Sequence, residues 1–163
     1  MSNDPQSVEV ALDEASGTFE VGGTPEEGLD DVSDEKAQLR KACRLIAAAE
    51  TLREQNGYHT AIVELAFGAI ERSFEFYAIT MSVDSVRDFM DHEYDYRRVF
   101  ELGAASSEMK EDFQALYNEN RAASYYSGRA VTAEQAEAML ALAVEAHEFL
   151  RDHPRTHFGC LCE

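Results

Sequence analysis

Residues 60–81, TAIVELAFGAIERSFEFYAITM, restrict the fold more than any other part of the chain. Ile62, Ala66, Ala69, Ile70, Phe74 and Tyr77 recur every three or four positions, the period of an α-helix, and Val63, Phe67 and Phe76 widen the stripe. A helix apolar over so much of its circumference must be covered on more than one side, which predicts the centre of a helical bundle. Ala66, Gly68 and Ala69 leave room for a neighbour to approach closely. Glu64, Glu71, Arg72 and Glu75 interrupt the run, so it lacks the ~18 apolar residues of a membrane span.

Four further helical segments surround it. One starts at Ser33, with Asp34 and Glu35 in a first turn where carboxylates complement the helix dipole. It carries Leu39, Cys43, Ile46 and Ala49 and stops at Asn56-Gly57. Residues 84–102 read as a third helix ending at Gly103. Its outer row Asp84, Asp88, Asp91 and Asp95, with His92 nearby, reads as a solvated face rather than a metal site, because nothing focuses those carboxylates on one point. A fourth runs from Ser107, with a buried row of Met109, Phe113, Leu116, Asn120 and Ala123 and a second row of Tyr117, Arg121 and Tyr125. The last begins at Thr132 with a capping box to Gln135 and buries Ala136, Met139, Leu140, Ala143 and Leu150, with His147 close to the same stripe. The expectation is an all-α, up-down bundle of four to five helices over residues 33–152, and 163 residues suit one such domain.

Charge divides the chain. Acidic residues number 32 against 14 basic, a formal balance of -18. Lysine is confined to Lys36, Lys41 and Lys110, and this acid-rich, lysine-poor surface resembles that of haloarchaeal cytosolic proteins, where excess carboxylates keep the chain hydrated. In molar salt, charge steering is screened to roughly 3 Å, so net charge does not exclude a polyanionic ligand. No basic residue precedes Lys36, and residues 1–32 read as a disordered acidic tail. The short alternations VEVAL and TFEV within it leave a small hairpin as the other reading. The N-terminus lacks the basic start and apolar run of a signal peptide, which points to a cytoplasmic protein.

Two stretches carry a family resemblance. KAQLRKACRLIAAAETLREQNGYHTAIVELAFGAIERSFEFYAI resembles the opening helical pair of HEPN (higher eukaryotes and prokaryotes nucleotide-binding) domains. DFQALYNENRAASYY followed by SGRAVTAEQAEAMLALAVEAHEFL is similar to the closing pair, where the family carries an Arg-x(4 to 6)-His motif. The resemblance implies a bundle that forms a homodimer with a cleft where the two motif copies meet. It further implies metal-independent ribonuclease action as a toxin or defence effector, paired with a nucleotidyltransferase-type antitoxin, although some members keep the fold without cutting RNA. Arg121 matches the motif arginine, flanked by the polar Asn120. Tyr126 stands after four intervening residues where the histidine belongs, and Ser127 and Gly128 at the longer spacings are not histidine either.

That substitution bears on the chemistry. Cleaving RNA without a metal requires the 2′-hydroxyl to lose its proton as it attacks phosphorus, and imidazole, with a pKa of about 6.5, suits that task. Tyrosine, with a pKa of about 10, does not. Arg121 alone retains the ability to grip a phosphate bidentately, and Tyr125 and Tyr126 the ability to stack on bases. The alternative reading is structural: Arg121 pairs with an acidic neighbour, the tyrosines close the end of the bundle, and the protein is a non-catalytic helical dimerisation or interaction module. His147, as a substitute base, competes with a packed histidine, the commoner use of such a position.

A different chemistry sits at residues 153–163. HPRTHFGCLC spaces His153, His157, Cys160 and Cys162 as H-x3-H-x2-C-x-C, a set able to surround a tetrahedral Zn²⁺. The competing reading is a frayed tail with incidental thiols and no cofactor. Glycine-rich phosphate loops, H-E-x-x-H and a nucleophile elbow do not occur in the sequence.

Overall fold

The computed structural model describes residues 5–121, 130–154 and 159–162, with Pro5, His92, Asn120 and Arg121 described in their backbone alone. The chain divides into two compact units, Met1–Asp31 and Val32–Glu163. Six α-helices and no strand occur among the described residues.

In the first unit, Pro5–Val21 forms α1 and ends where Gly22 takes a positive φ of 73°. The segment read from its composition as a disordered acidic tail, or from its alternations as a small hairpin, is helical over Pro5–Val21. Pro5 occupies a position that needs no donated hydrogen bond, and Val8, Leu12, Ala15 and Phe19 fall at helical spacing, so both short alternations lie inside a helix. Residues 6–27 are all exposed.

The second unit is the bundle. Helix α2, Asp34–Gln55, is joined to α3, His59–Met81, by a short turn in which Asn56 and Gly57 both adopt positive φ. A connection this short makes the two helices antiparallel neighbours. They approach closely at Gly68, where an added Cβ would lie 3.3 Å from Leu45 Cδ1. Helix α6, Ala133–Asp152, begins with the expected capping box. Thr132 Oγ1 accepts from the Gln135 amide at 3.2 Å, and the Thr132 amide donates to Gln135 Oε1 at 3.0 Å. It lays Ala136, Met139, Leu140, Ala143 and Leu150 against α3, which is covered by α2, α6 and the helix α4, His92–Glu101, as its broad stripe requires.

The third segment is broken. Val86–Phe89 is a 3₁₀ turn and only His92–Glu101 forms α4. The break comes from residues that prefer capping to continuing a helix. Ser85 donates twice to Asp88 Oδ2, at 2.8 and 2.9 Å, and Asp91 Oδ1 accepts from the Glu93 amide at 3.1 Å. The row expected to form one solvated face is therefore dispersed. Asp84 pairs with Arg98, Asp88 and Asp91 serve as caps, and Asp95 is fully buried.

Helix α5, Ser107–Leu116, packs on α4 but has no fully buried residue, and Met109 is exposed rather than leading a buried row. Phe113 still reaches the core, with its ring 5.5 Å from Phe74, which also meets Tyr96 edge-on at 5.2 Å. After Leu116 the chain widens into a π-helical turn, Tyr117–Arg121, which displaces the row expected from a regular helix. Among the described residues no helix is long and apolar enough to cross a membrane.

Candidate metal centre

Two helices that flank α3 each place one metal-ligating side chain in the core. Cys43 lies on the buried stripe of α2 and His147 on that of α6, at 2% and 1% exposure. Residues 159–162 run alongside them. Arg40 Nε donates to the Gly159 carbonyl at 3.2 Å, and the Leu161 amide donates to Cys43 Sγ at 3.4 Å. This brings in Cys160 and Cys162, and the ligand atoms of Cys43, His147, Cys160 and Cys162 all lie within 4.8 Å of one another.

The distances are informative. His147 Nε2 stands 3.4 Å from Cys43 Sγ, 3.3 Å from Cys160 Sγ and 3.4 Å from Cys162 Sγ. One ring nitrogen has a single proton or a single lone pair, so it cannot be the separate hydrogen-bond partner of three sulfurs. Three near-equal separations instead describe three edges of a tetrahedron meeting at one corner. For a Zn²⁺ bound by sulfur and nitrogen at ordinary lengths, such an edge measures about 3.6 Å.

The far side of the ring is also specified. Ser73 Oγ donates to the Ala69 carbonyl at 2.8 Å and lies 3.0 Å from His147 Nδ1. With its one proton committed, the hydroxyl accepts from Nδ1–H, leaving Nε2 to face the sulfurs. This is the support that histidine ligands usually receive from a neighbouring polar group. A backbone amide adds to the sulfur side, Cys162 N–H donating to Cys160 Sγ at 3.4 Å.

With protons as the sole occupants, the four groups perturb one another. Burial opposes a charge on His147, but hydrogen bonds to Cys160 and Cys43 outweigh it and its pKa rises to about 9. Hydrogen bonds from Cys162 and Cys43 push the Cys160 thiol down, and the same sharing pushes Cys162 up. The cluster thus favours one thiolate beside one imidazolium. A divalent cation at the centre would let all three sulfurs ionise together.

The family described as "Domain of unknown function (DUF8154)" matches residues 3–162. The chain belongs to the DUF8154 family. No curated protein and no solved structure matches it.

In this DUF8154 chain, Cys160 and Cys162 join the cluster as the tail spacing implied, while His153 does not. It lies six residues beyond His147, about 240° further around a helix, and its ring packs against Tyr77 at 5.5 Å and Phe149 at 5.4 Å. His157 falls outside the described residues. Cys43 and His147, which complete the set, read in the sequence as members of apolar stripes. The signal that could have singled them out is weak: a thiol and an imidazole on core faces of two different helices, in a chain whose Cys-x-Cys tail lacks two ligands. The ribonuclease-type candidates fall at the edge of the described residues or beyond it. Arg121 and Asn120 end the π-helical turn, with only their backbone described, and Tyr125 and Tyr126 lie outside the described residues.

Proposed function

We propose that this protein is a Zn²⁺-clamped helical bundle in which Cys43, His147, Cys160 and Cys162 hold a structural ion that fastens the C-terminal segment to α2 and α6. The carrying observation is the set of three near-equal separations from His147 Nε2. Three thiolates and one imidazole form a donor set suited to Zn²⁺, and softer donors than Mg²⁺ or Ca²⁺ accept. Four protein ligands leave no coordination position for a substrate, which assigns the ion to holding structure rather than to catalysis. In this reading the bundle is a non-catalytic binding or interaction module. Full-length protein purified without chelator should carry about one Zn²⁺ per chain, as a Cys₃His site requires, and Co²⁺ substitution should give the absorption of a tetrahedral, thiolate-rich centre. Octahedral Co²⁺ spectra, or metal content unchanged in Cys43→Ser, would sink it.

A second reading concerns the ligand of that module. The π-helical turn falls on Tyr117–Arg121, and such turns often mark functional positions because they displace side chains from the regular helix surface. This favours the HEPN-like, RNA-directed reading, with Arg121 and Asn120 holding phosphate, Tyr125 and Tyr126 stacking on bases, and the cleft completed by a second copy of the chain. Exposed Met109 and Phe149 support self-association, and a nucleotidyltransferase-type antitoxin is the partner that the resemblance implies. His147 is not free to replace the missing base, since Nδ1 faces Ser73 and Nε2 the three sulfurs. RNA binding with little or no cleavage is the expected behaviour. Equal RNA affinity for wild type and Arg121→Ala, measured in high salt, would remove this reading while leaving the Zn²⁺ assignment intact.

A further inference from the structure

The four candidate ligands are unequally protected. Cys43 and His147 are buried and fixed on helices, whereas Cys160 is half-buried and Cys162 is exposed. The two outer thiols belong to one three-residue stretch, Cys160-Leu161-Cys162, and their sulfurs lie within 4.8 Å of each other. They can therefore react with each other without either helix moving, and they are the more accessible pair of the three thiols.

We infer that Cys160 and Cys162 form a hydroperoxide-sensitive latch: their oxidation to a disulfide expels the metal and frees the C-terminal segment. This rests on the Zn²⁺ reading above. In the first step the exposed Cys162 thiolate attacks one peroxide oxygen; the S–O bond forms, the O–O bond breaks, and the departing hydroxide takes a proton to become water. The resulting sulfenic acid is attacked at sulfur by Cys160, forming S–S and releasing a second hydroxide, which is protonated to water. Two electrons pass from the two sulfurs to the peroxide, and two protons come from solvent. A disulfide is a poor ligand, so the ion keeps only Cys43 and His147, too few to hold it. Once it leaves, the segment exchanges its metal anchor for hydrogen bonds such as those from Arg40 to the Gly159 carbonyl and from the Leu161 amide to Cys43, which are too weak to keep it docked. Dithiol reductants restore both thiols and, with Zn²⁺ present, the clamp.

The test uses Zn²⁺-loaded full-length protein treated with hydrogen peroxide. Released metal is followed by a chromogenic chelator, and disulfides are located by peptide mass spectrometry without reduction. The expected result is loss of the bound Zn²⁺ together with a 160–162 disulfide, both reversed by dithiothreitol. Cys162→His keeps a ligand but removes the outer thiol, so release should slow by roughly tenfold or more. Retention of Zn²⁺ under peroxide, a disulfide that includes Cys43, or equally fast release from Cys162→His would overturn the latch. A chain that takes up no Zn²⁺ before peroxide is added overturns the metal reading itself, so the two failures are distinguishable.

Discussion

Helix α3 separates two buried polar clusters that solve the same problem in opposite ways. Ser73 faces the cysteine–histidine cluster through His147, while Glu71 and Glu75, two residues to either side, project about 200° away around the helix. The first cluster consists of donors aimed at one point. The second collects carboxylates of one sign, with Glu71, Glu75 and Asp95 all buried, beside Gln38 and Arg72. Arg72 donates to Glu75 Oε2 at 2.6 Å and to Gln38 Oε1 at 3.5 Å. Burial nevertheless dominates: it pushes Glu75 up to about 7 against the pull of Arg72, and it pushes Asp95 up to about 8, with Glu75 and Glu71 adding repulsion. The difference teaches how each cluster escapes the cost of buried charge. The carboxylates hold their protons to higher pH; the thiols and imidazole converge on a place where one cation could sit.

Breaking the metal side should have the largest effect. His147→Ala removes a ligand, the ring that Ser73 orients and a buried side chain, and should lower the unfolding free energy by at least about 4 kcal/mol in denaturant titration. A loss under about 1 kcal/mol would mean that the cluster holds nothing together. Next comes Ser73→Ala, which leaves all four ligands but frees the ring. Its Zn²⁺ affinity, measured by chelator competition, should fall about 10- to 100-fold, as for other orienting partners of metal-bound histidine.

Glu75→Gln sharpens the contrast from the other side. Because the folded-state pKa of Glu75 lies above the unfolded value of about 4.3, the folded chain binds the extra proton between these limits. Stability should therefore decline as pH rises from about 4 to about 7, with Asp95 extending the decline to about 8. The part of the fall that Glu75 supplies should amount to about 4 kcal/mol in wild type and be lost in Glu75→Gln, which becomes the more stable protein at pH 8. Parallel pH profiles for the two would show that Arg72, not a proton, neutralises Glu75.

What the sequence disclosed follows from the range of each interaction. The stripe through Ile62, Phe74 and Tyr77, the stop at Asn56-Gly57 and the capping box at Thr132 are all local signals, and the bundle could be read from them. The break before α4 was hidden because Asp88 and Asp91 fit a helical row and a cap equally well, and only the competition among nearby amides decides between them. Asp95 reads as surface by its charge, although Tyr96 and Val99 beside it carry it into the core. The cysteine–histidine cluster was half legible for the same reason. Cys160 and Cys162 announce themselves by proximity, and the same logic recruited His153, whose ring packs on Tyr77 and Phe149 instead. Cys43 and His147 lie 104 positions apart and meet only because α2 and α6 flank one helix.

That separation has a kinetic consequence. Contacts between neighbouring segments, such as the α2–α3 hairpin, need little chain to be gathered, whereas the contact between Cys43 and His147 closes one of the longest loops in the bundle and belongs late on the folding route. A cation bound at a late contact acts on departure from the native state: it would slow unfolding while leaving the rate of first folding close to that of the metal-free chain. Metal supply would then be felt as the lifetime of the finished molecule rather than as the fraction of chains that reach it.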